Sequence, residues 1–193
     1  MKKPGIVLII LIVSSSVFGQ SQWKPWVVAE GGTLWGGYEF TGDVRLQGGM
    51  KTNGWLIGAG AAYDPYRYRT MPIYVQGRKM FTQGSIKPFI LASIGASLEM
   101  EKDQEQPVET TPIWGRWIAP AYQYSNGMYA EGGLGLAFRA KKRIGFNLSL
   151  SYTYKSLEET YNDNTWTGVA NESSTVKNKY MMNRLAFRLG LQF

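Results

Sequence analysis

The chain has 193 residues and is poor in charge, at 18 %, yet its mean hydropathy is only −0.23. That excludes a bundle of membrane helices, each of which needs a run of roughly 20 apolar residues. The absence of both cysteine and histidine excludes a disulfide framework, a thiol nucleophile, a Cys-based zinc site and most acid–base or metal chemistry.

The net charge of +7 does not point to nucleic acid, because most of the basic residues stand singly among apolar ones instead of forming a patch. The 23 Gly, 7 Trp, 12 Tyr and 8 Phe suit a barrel, whose strands hide their hydrophobicity by alternation. At the N-terminus, Lys2 and Lys3 precede the apolar run Ile6 to Val13, too short to span a bilayer. Residues 1–19 are therefore expected to be a secretory signal peptide, cleaved after Gly19. Residues 20–193 are expected to form one barrel domain.

Strands that cross a membrane obliquely need about 9 to 11 residues, and eight such segments follow. The first, Gln22 to Trp35, places Val27, Ala29, Thr33 and Trp35 on one parity and Glu30 on the other. Residues 36–42 read as a connection. In the second, Asp43 to Lys51, Val44, Leu46 and Met50 alternate with Arg45, Gln47 and Lys51, before the tight-turn signal Thr52-Asn53-Gly54. The third, Trp55 to Asp64, precedes the loop DPYRYRT. The fourth, Met71 to Phe81, sets Ile73 and Val75 against Tyr74, Gln76 and Arg78. The fifth is Ile86 to Met100, after which 101–126 is a long polar loop. The sixth is Gly127 to Ala140. The seventh, Ile144 to Lys155, alternates most strictly. A second polar loop, 156–179, leads to the closing strand Tyr180 to Phe193.

The fold class expected is all-β, an eight-stranded antiparallel up-and-down transmembrane β-barrel; Trp117 to Gln123 is read as a loop hairpin above the membrane, and the alternative of ten strands would need it and a second extra strand in the wall. Turns at 52–54, 82–85 and 141–143 are tight and the others longer, the outer-membrane pattern. A secreted lipocalin-type barrel also alternates, with the opposite polarity; the charged second face and the apolar closing strand favour the membrane version.

The run Trp55 to Asp64, then PYRYRTMPIYVQGRKMF and IKPFILASIGASLEM, resembles the small outer-membrane β-barrel domains of Bacteroidota type, grouped with the OmpA/OmpX-like eight-stranded barrels. The resemblance covers most of the mature chain and is carried by diffuse alternation with a few Gly, Tyr and Pro positions. It implies residence in the outer membrane, with lipid and lipopolysaccharide as surroundings. It also implies insertion by the outer-membrane assembly machinery, which in related proteins reads a C-terminal aromatic strand; here that is Phe187, Leu189, Leu191 and Phe193. No peptidoglycan-binding domain is expected after the barrel. Barrel enzymes of the lipid A deacylase and palmitoyltransferase types rely on a catalytic histidine, absent here, so no enzymatic activity, catalytic residue, metal or cofactor is expected.

The inward parity carries Glu30, Glu99 and Glu131 against Arg45, Arg78, Lys87, Arg139, Lys155, Arg184 and Arg188. Eight strands leave room only for side chains, and buried charges need partners. Glu30, Arg45, Arg78, Glu99, Glu131, Arg139, Arg184 and Arg188 are therefore expected to form an ion-pair network that plugs the lumen. Within it, Arg188 is placed opposite Glu30 and Arg184 opposite Glu131. Surplus basic groups leave a narrow anion-preferring channel as the alternative. In the loops, Trp114, Trp117 and Trp166 are candidate anchors for a partner; the plainer expectation is a solvated loop on the lipopolysaccharide surface, with Arg67, Arg69 and Arg116 meeting its phosphates. The role expected is structural or binding, exerted through the loops; the remaining alternative is an accessory barrel packed against a larger outer-membrane complex.

Overall fold

The computed structural model describes residues 23–37, 39–81, 84–100, 109–110, 117–118, 122–139, 144–166 and 171–193; the expected leader lies outside them. Eight long strands form the wall: β1 (Lys24–Gly36), β2 (Glu39–Thr52), β3 (Trp55–Tyr63), β4 (Thr70–Met80), β5 (Ile86–Glu99), β6 (Gly127–Arg139), β7 (Gly145–Trp166) and β8 (Asn171–Gln192). Each pairs antiparallel with its sequence neighbours, and β8 pairs with β1 from Val28↔Gln192 to Trp35↔Leu185, so the sheet closes on itself. The result is an eight-stranded up-and-down barrel. The tenth-strand candidate does not enter the wall. Trp117–Ile118 pairs only with Glu109–Thr110, and Tyr122–Ser125 lies along β7 beyond the barrel.

The two rims differ. At one, few residues separate successive strands: 53–54, 81–85 and 140–144. The first of these is a two-residue hairpin with positive φ at Asn53 (42°) and Gly54 (79°), the type I′ geometry that matches strand twist. Both ends of the chain's barrel, Lys24 and Gln192, lie at this rim. The opposite rim departs from expectation in two places. β2 begins at Glu39, not Asp43, so the connection is 37–38 and not 36–42; Trp35 and Phe40 face each other across the hairpin with their rings stacked 5.7 Å apart. Phe40 carries the parity of Val44 across Gly42, a sparse signal that turn residues obscure.

The second departure is larger. Residues 156–166 and 171–179 are strand, not loop. β7 and β8 are 22 residues each, and their ladder runs unbroken to Trp166↔Asn171. At ~3.3 Å per residue, the eleven or so residue pairs beyond the wall project roughly 36 Å. The apolar alternation that marks the wall stops near Tyr154, but backbone pairing needs no apolar face once a register is already fixed below it. Tyr122–Ser125 pairs with the outer edge of this hairpin at Glu158–Tyr161.

The wall's two faces are opposite in character. Outside stand Val27, Val44, Leu46, Ile57, Ile73, Val75, Ile90, Ile94, Leu134, Leu150, Phe187 and Leu189, all exposed. Aromatic side chains mark both edges of this band: Trp23, Trp55, Phe81, Phe146 and Phe193 at the short-turn rim, Trp35, Phe40, Tyr63 and Tyr152 at the other. Inside are the buried charges. A lipocalin-type barrel would present the reverse.

Candidate functional site

The lumen is filled in three layers, and strand position sets which residue falls in which layer. Near the short-turn rim, Trp26 and Val28 from the start of β1 meet Leu56, Met80, Phe89, Leu91 and Ala137, all buried. These residues share the inward parity with the charges above them. The lowest layer is therefore apolar, a floor across the barrel.

Above it lies the charged centre. Glu131 on β6 is its hub. Its Oε2 accepts from Arg45 Nη1 at 2.8 Å and from the Tyr129 hydroxyl at 2.8 Å; its Oε1 accepts from Arg188 Nη1 at 2.7 Å and from the Ser151 hydroxyl at 2.5 Å. Four donors occupy the lone pairs of one carboxylate, as a buried charge requires. Arg188 also donates through Nε to Asp43 Oδ2 at 2.8 Å, and Arg45 lies 3.6 Å from the same carboxylate. Glu30 takes Arg78 Nη2 at 2.6 Å and lies 4.0 Å from Arg45. Arg78 continues through Gln76 Oε1 (2.9 Å), whose amide donates to Ser93 Oγ at 3.0 Å. Aromatic faces cover the guanidinium planes: Arg45 over Tyr74 at 5.5 Å and Arg78 over Phe89 at 5.2 Å. The centre thus sets the carboxylates Glu30, Asp43 and Glu131 against the guanidinium groups of Arg45, Arg78 and Arg188.

Two glycines permit this crossing. Arg188 and Asp43 flank Gly32 in register, and a Cβ at Gly32 would lie 2.6 Å from Arg188 Cγ, besides striking the Phe187 carbonyl. On the next inward row, a Cβ at Gly190 would lie 2.6 Å from Glu30 Cγ. The charged side chains lie over backbone where the sequence supplies no side chain of its own.

The third layer is the mouth. The β3–β4 loop folds inward, putting Tyr66 against Leu34, Leu157, Met182 and Ala186. Tyr66 donates to the Gly36 carbonyl, and Asp64 Oδ1 accepts from the Tyr66 backbone N–H at 3.0 Å. Lys155 pins the loop from β7: its Nζ donates to the carbonyls of Tyr66 and Tyr68, both at 3.2 Å, and to Thr70 Oγ1 at 3.1 Å, and lies 3.3 Å from Asp64. Tyr68 packs between Tyr124 (5.3 Å) and Tyr180 (5.4 Å). Tyr180, on the hairpin beyond the wall, donates to Glu159 Oε2 at 2.7 Å; that hydrogen bond and one with Tyr68 push its hydroxyl above the usual phenol range.

Six of the residues expected in the lumen, Glu30, Arg45, Arg78, Glu131, Arg184 and Arg188, are buried there, but two pairings differ from expectation. Arg188 meets Glu131 and Asp43 instead of Glu30, and Arg184 meets Asp64 instead of Glu131. Arg184 and Glu131 do share a row, both opposite Thr153. Strand tilt places residues of one row at different heights, so the partner of Glu131 comes from four residues along β8, with Ser151 between them. Glu99 stands at the outer end of β5, half-buried, its backbone N–H donating to Asn126 Oδ1 at 3.0 Å. Arg139 ends β6 opposite Gly145, and its side chain lies outside the described residues.

Asp43 and Asp64 were missed as members. Parity would have found both: Asp43 precedes Arg45 and Gln47 by even steps, and Asp64 follows Leu56 and Ala62 likewise. Phe187, Leu189, Leu191 and Phe193 lie on the outer face, and Phe193 closes the rim through backbone bonds with Val27 at 2.8 and 3.2 Å. Trp117 and Trp166 are placed by backbone alone, opposite Thr110 and Asn171; Trp114 and Arg116 lie outside the described residues.

No family model matches the chain, and no curated protein matches it in sequence. Among solved structures it is similar in fold to the outer membrane protein OprG from Pseudomonas aeruginosa, with a TM-score of 0.55 over 88 % of this chain and 95 % of that one, at 8 % identity. It is also similar to the outer membrane protein AlkL in DMPC lipid bilayers, with a TM-score of 0.51 over 88 % of this chain and 89 % of that one, at 10 % identity. At such identities the likeness is one of fold.

Proposed function

We propose that the protein is an integral outer-membrane β-barrel with a closed lumen, whose role is structural or binding and is exerted outside the wall by residues 101–126 and the β7–β8 hairpin. The observation that carries this reading is the polarity of the wall. An exposed apolar band flanked by aromatic residues, around a lumen of paired charges, is stable where hydrocarbon meets the outside. On this reading residues 1–19 are removed on export, and Phe187, Leu189, Leu191 and Phe193 guide insertion by the assembly machinery. The exposed Arg67 and Arg69 then meet lipopolysaccharide phosphates.

Closure of the lumen is argued from its layering. A permeant ion would have to part the apolar floor of Trp26, Phe89 and Leu91, then the paired centre, then the tyrosines of the mouth. The narrow-channel alternative needs all three to open. Purified protein in planar bilayers is expected to give no discrete conductance. Stable anion-selective channels that change on Arg188→Ala would overturn the closed lumen. Co-purification from native membranes after gentle extraction separates a free-standing barrel from an accessory subunit.

A further inference from the structure

The mouth differs from the centre in its charge. In the centre, three carboxylates face three guanidinium groups. At the mouth, one carboxylate, Asp64, is shared by two buried cations: Arg184 Nη1 donates to its Oδ2, and Lys155 Nζ lies 3.3 Å from the same oxygen. The other acceptors of Lys155 are neutral, two carbonyls and the Thr70 hydroxyl. Two further acids face this region. Glu159 lies four residues beyond Lys155 on the same face of β7, held by the Tyr180 hydroxyl at 2.7 Å and the Asn178 amide at 3.4 Å. Glu99 lies half-buried across the ladder from Thr70.

Arg184 itself is 2 % exposed, and its guanidinium carbon sits 5.3 Å above the Tyr66 ring. Asp64 uses only Nη1. Among the described residues, Nε and Nη2 have no hydrogen-bond partner. These are not two scattered donors. They are the adjacent, parallel N–H groups of one edge of the fork, the edge that chelates an anion. A buried guanidinium that shares its one carboxylate with a second cation thus keeps two desolvated donors for which the described residues offer no acceptor, which is costly.

We infer that the barrel mouth holds a halide-sized anion, chloride first among them, on the Nε–Nη2 edge of Arg184. Arg184 is buried against the Tyr66 ring, and a single-atom anion asks for the least room in such surroundings. The anion supplies the acceptor that this edge lacks, beneath the inward-folded loop of Tyr66 and Tyr68. Arg67 and Arg69, exposed on that loop, raise the local concentration of anions at the entrance. The assignment stands on the mouth geometry alone and does not require the membrane reading.

Two measurements on the full chain in detergent test it. Crystals grown in sodium bromide are expected to show an anomalous peak within hydrogen-bonding distance of both Nε and Nη2; density for water alone would overturn the site. Thermal unfolding is then followed at constant ionic strength while gluconate is replaced by chloride. The wild type is expected to gain stability saturably, and Arg184→Lys, which keeps the charge but loses the chelating edge, to respond no more than to gluconate. An equal chloride response in both proteins, or a bromide peak without a saturable response, an adventitious ion only, contradicts the proposal. If Arg184→Lys fails to fold, the bromide peak and the wild-type chloride titration decide together.

Discussion

Replacing Glu131 by Gln removes one charge from the most heavily used carboxylate in the barrel while keeping its size. Four donors converge on the native group, from Arg45, Tyr129, Arg188 and Ser151. An amide offers one oxygen to two of them and turns its own N–H groups toward the other two. Arg188 keeps Asp43 at 2.8 Å, but Arg45 is left with Asp43 at 3.6 Å and Glu30 at 4.0 Å. Removing one partner of a buried ion pair costs about 3–5 kcal/mol, because the other charge stays buried. With a urea dependence of about 2 kcal/mol per molar, the unfolding midpoint falls by about 1.5–2.5 M. Tryptophan fluorescence of the detergent-folded protein in urea reads this directly. Combining Glu131→Gln with Arg188→Met restores the balance of charge, so the double variant should lose at least ~1 kcal/mol less than the sum of the singles. A loss below ~1 kcal/mol for Glu131→Gln, or strict additivity, would refute the hub.

Glycine positions give a paired prediction. Gly32→Ala drives a methyl into the Phe187 carbonyl and Arg188, whereas a Cβ at Gly77 meets nothing within 4 Å. Refolding yield and urea midpoint should fall sharply for the first and stay within about 0.5 kcal/mol for the second. Lys155→Met removes the side chain that pins the 64–69 loop, so trypsin should cleave after the exposed Arg67 and Arg69 faster than in wild type, with the barrel otherwise intact. Equal cleavage would show that the tyrosine packing alone holds the loop.

Much of the wall was legible because a strand with one apolar and one charged face writes its parity into the sequence. Phe146 to Tyr154 could be read residue by residue, and so could the closing strand. What parity does not record is height. Glu131 and Arg184 share a row with Thr153 yet do not meet, since contact in the lumen depends on tilt as well as register. The hairpin beyond Lys155 was hidden for another reason: Ser156, Glu158 and Thr160 are polar on the face where the wall is apolar, and backbone pairing leaves no compositional mark. The apolar floor was missed because Trp26, Val28 and Leu56 are apolar on the inward parity, where a charge was expected.

The apolar face is expected to lie against lipid and the polar face in a closed lumen. The chain has no native thiol, so each introduced cysteine carries the only label. Spin labels placed in turn at Phe146, Asn147, Ser149, Leu150, Ser151 and Tyr152, in protein reconstituted in bilayers, can be assayed for collisions with oxygen dissolved in the lipid. Phe146, Leu150 and Tyr152 should be accessible, and Asn147, Ser149 and Ser151, all buried, should be shielded from both oxygen and aqueous nickel. The opposite alternation, or none, would overturn this polarity of the wall.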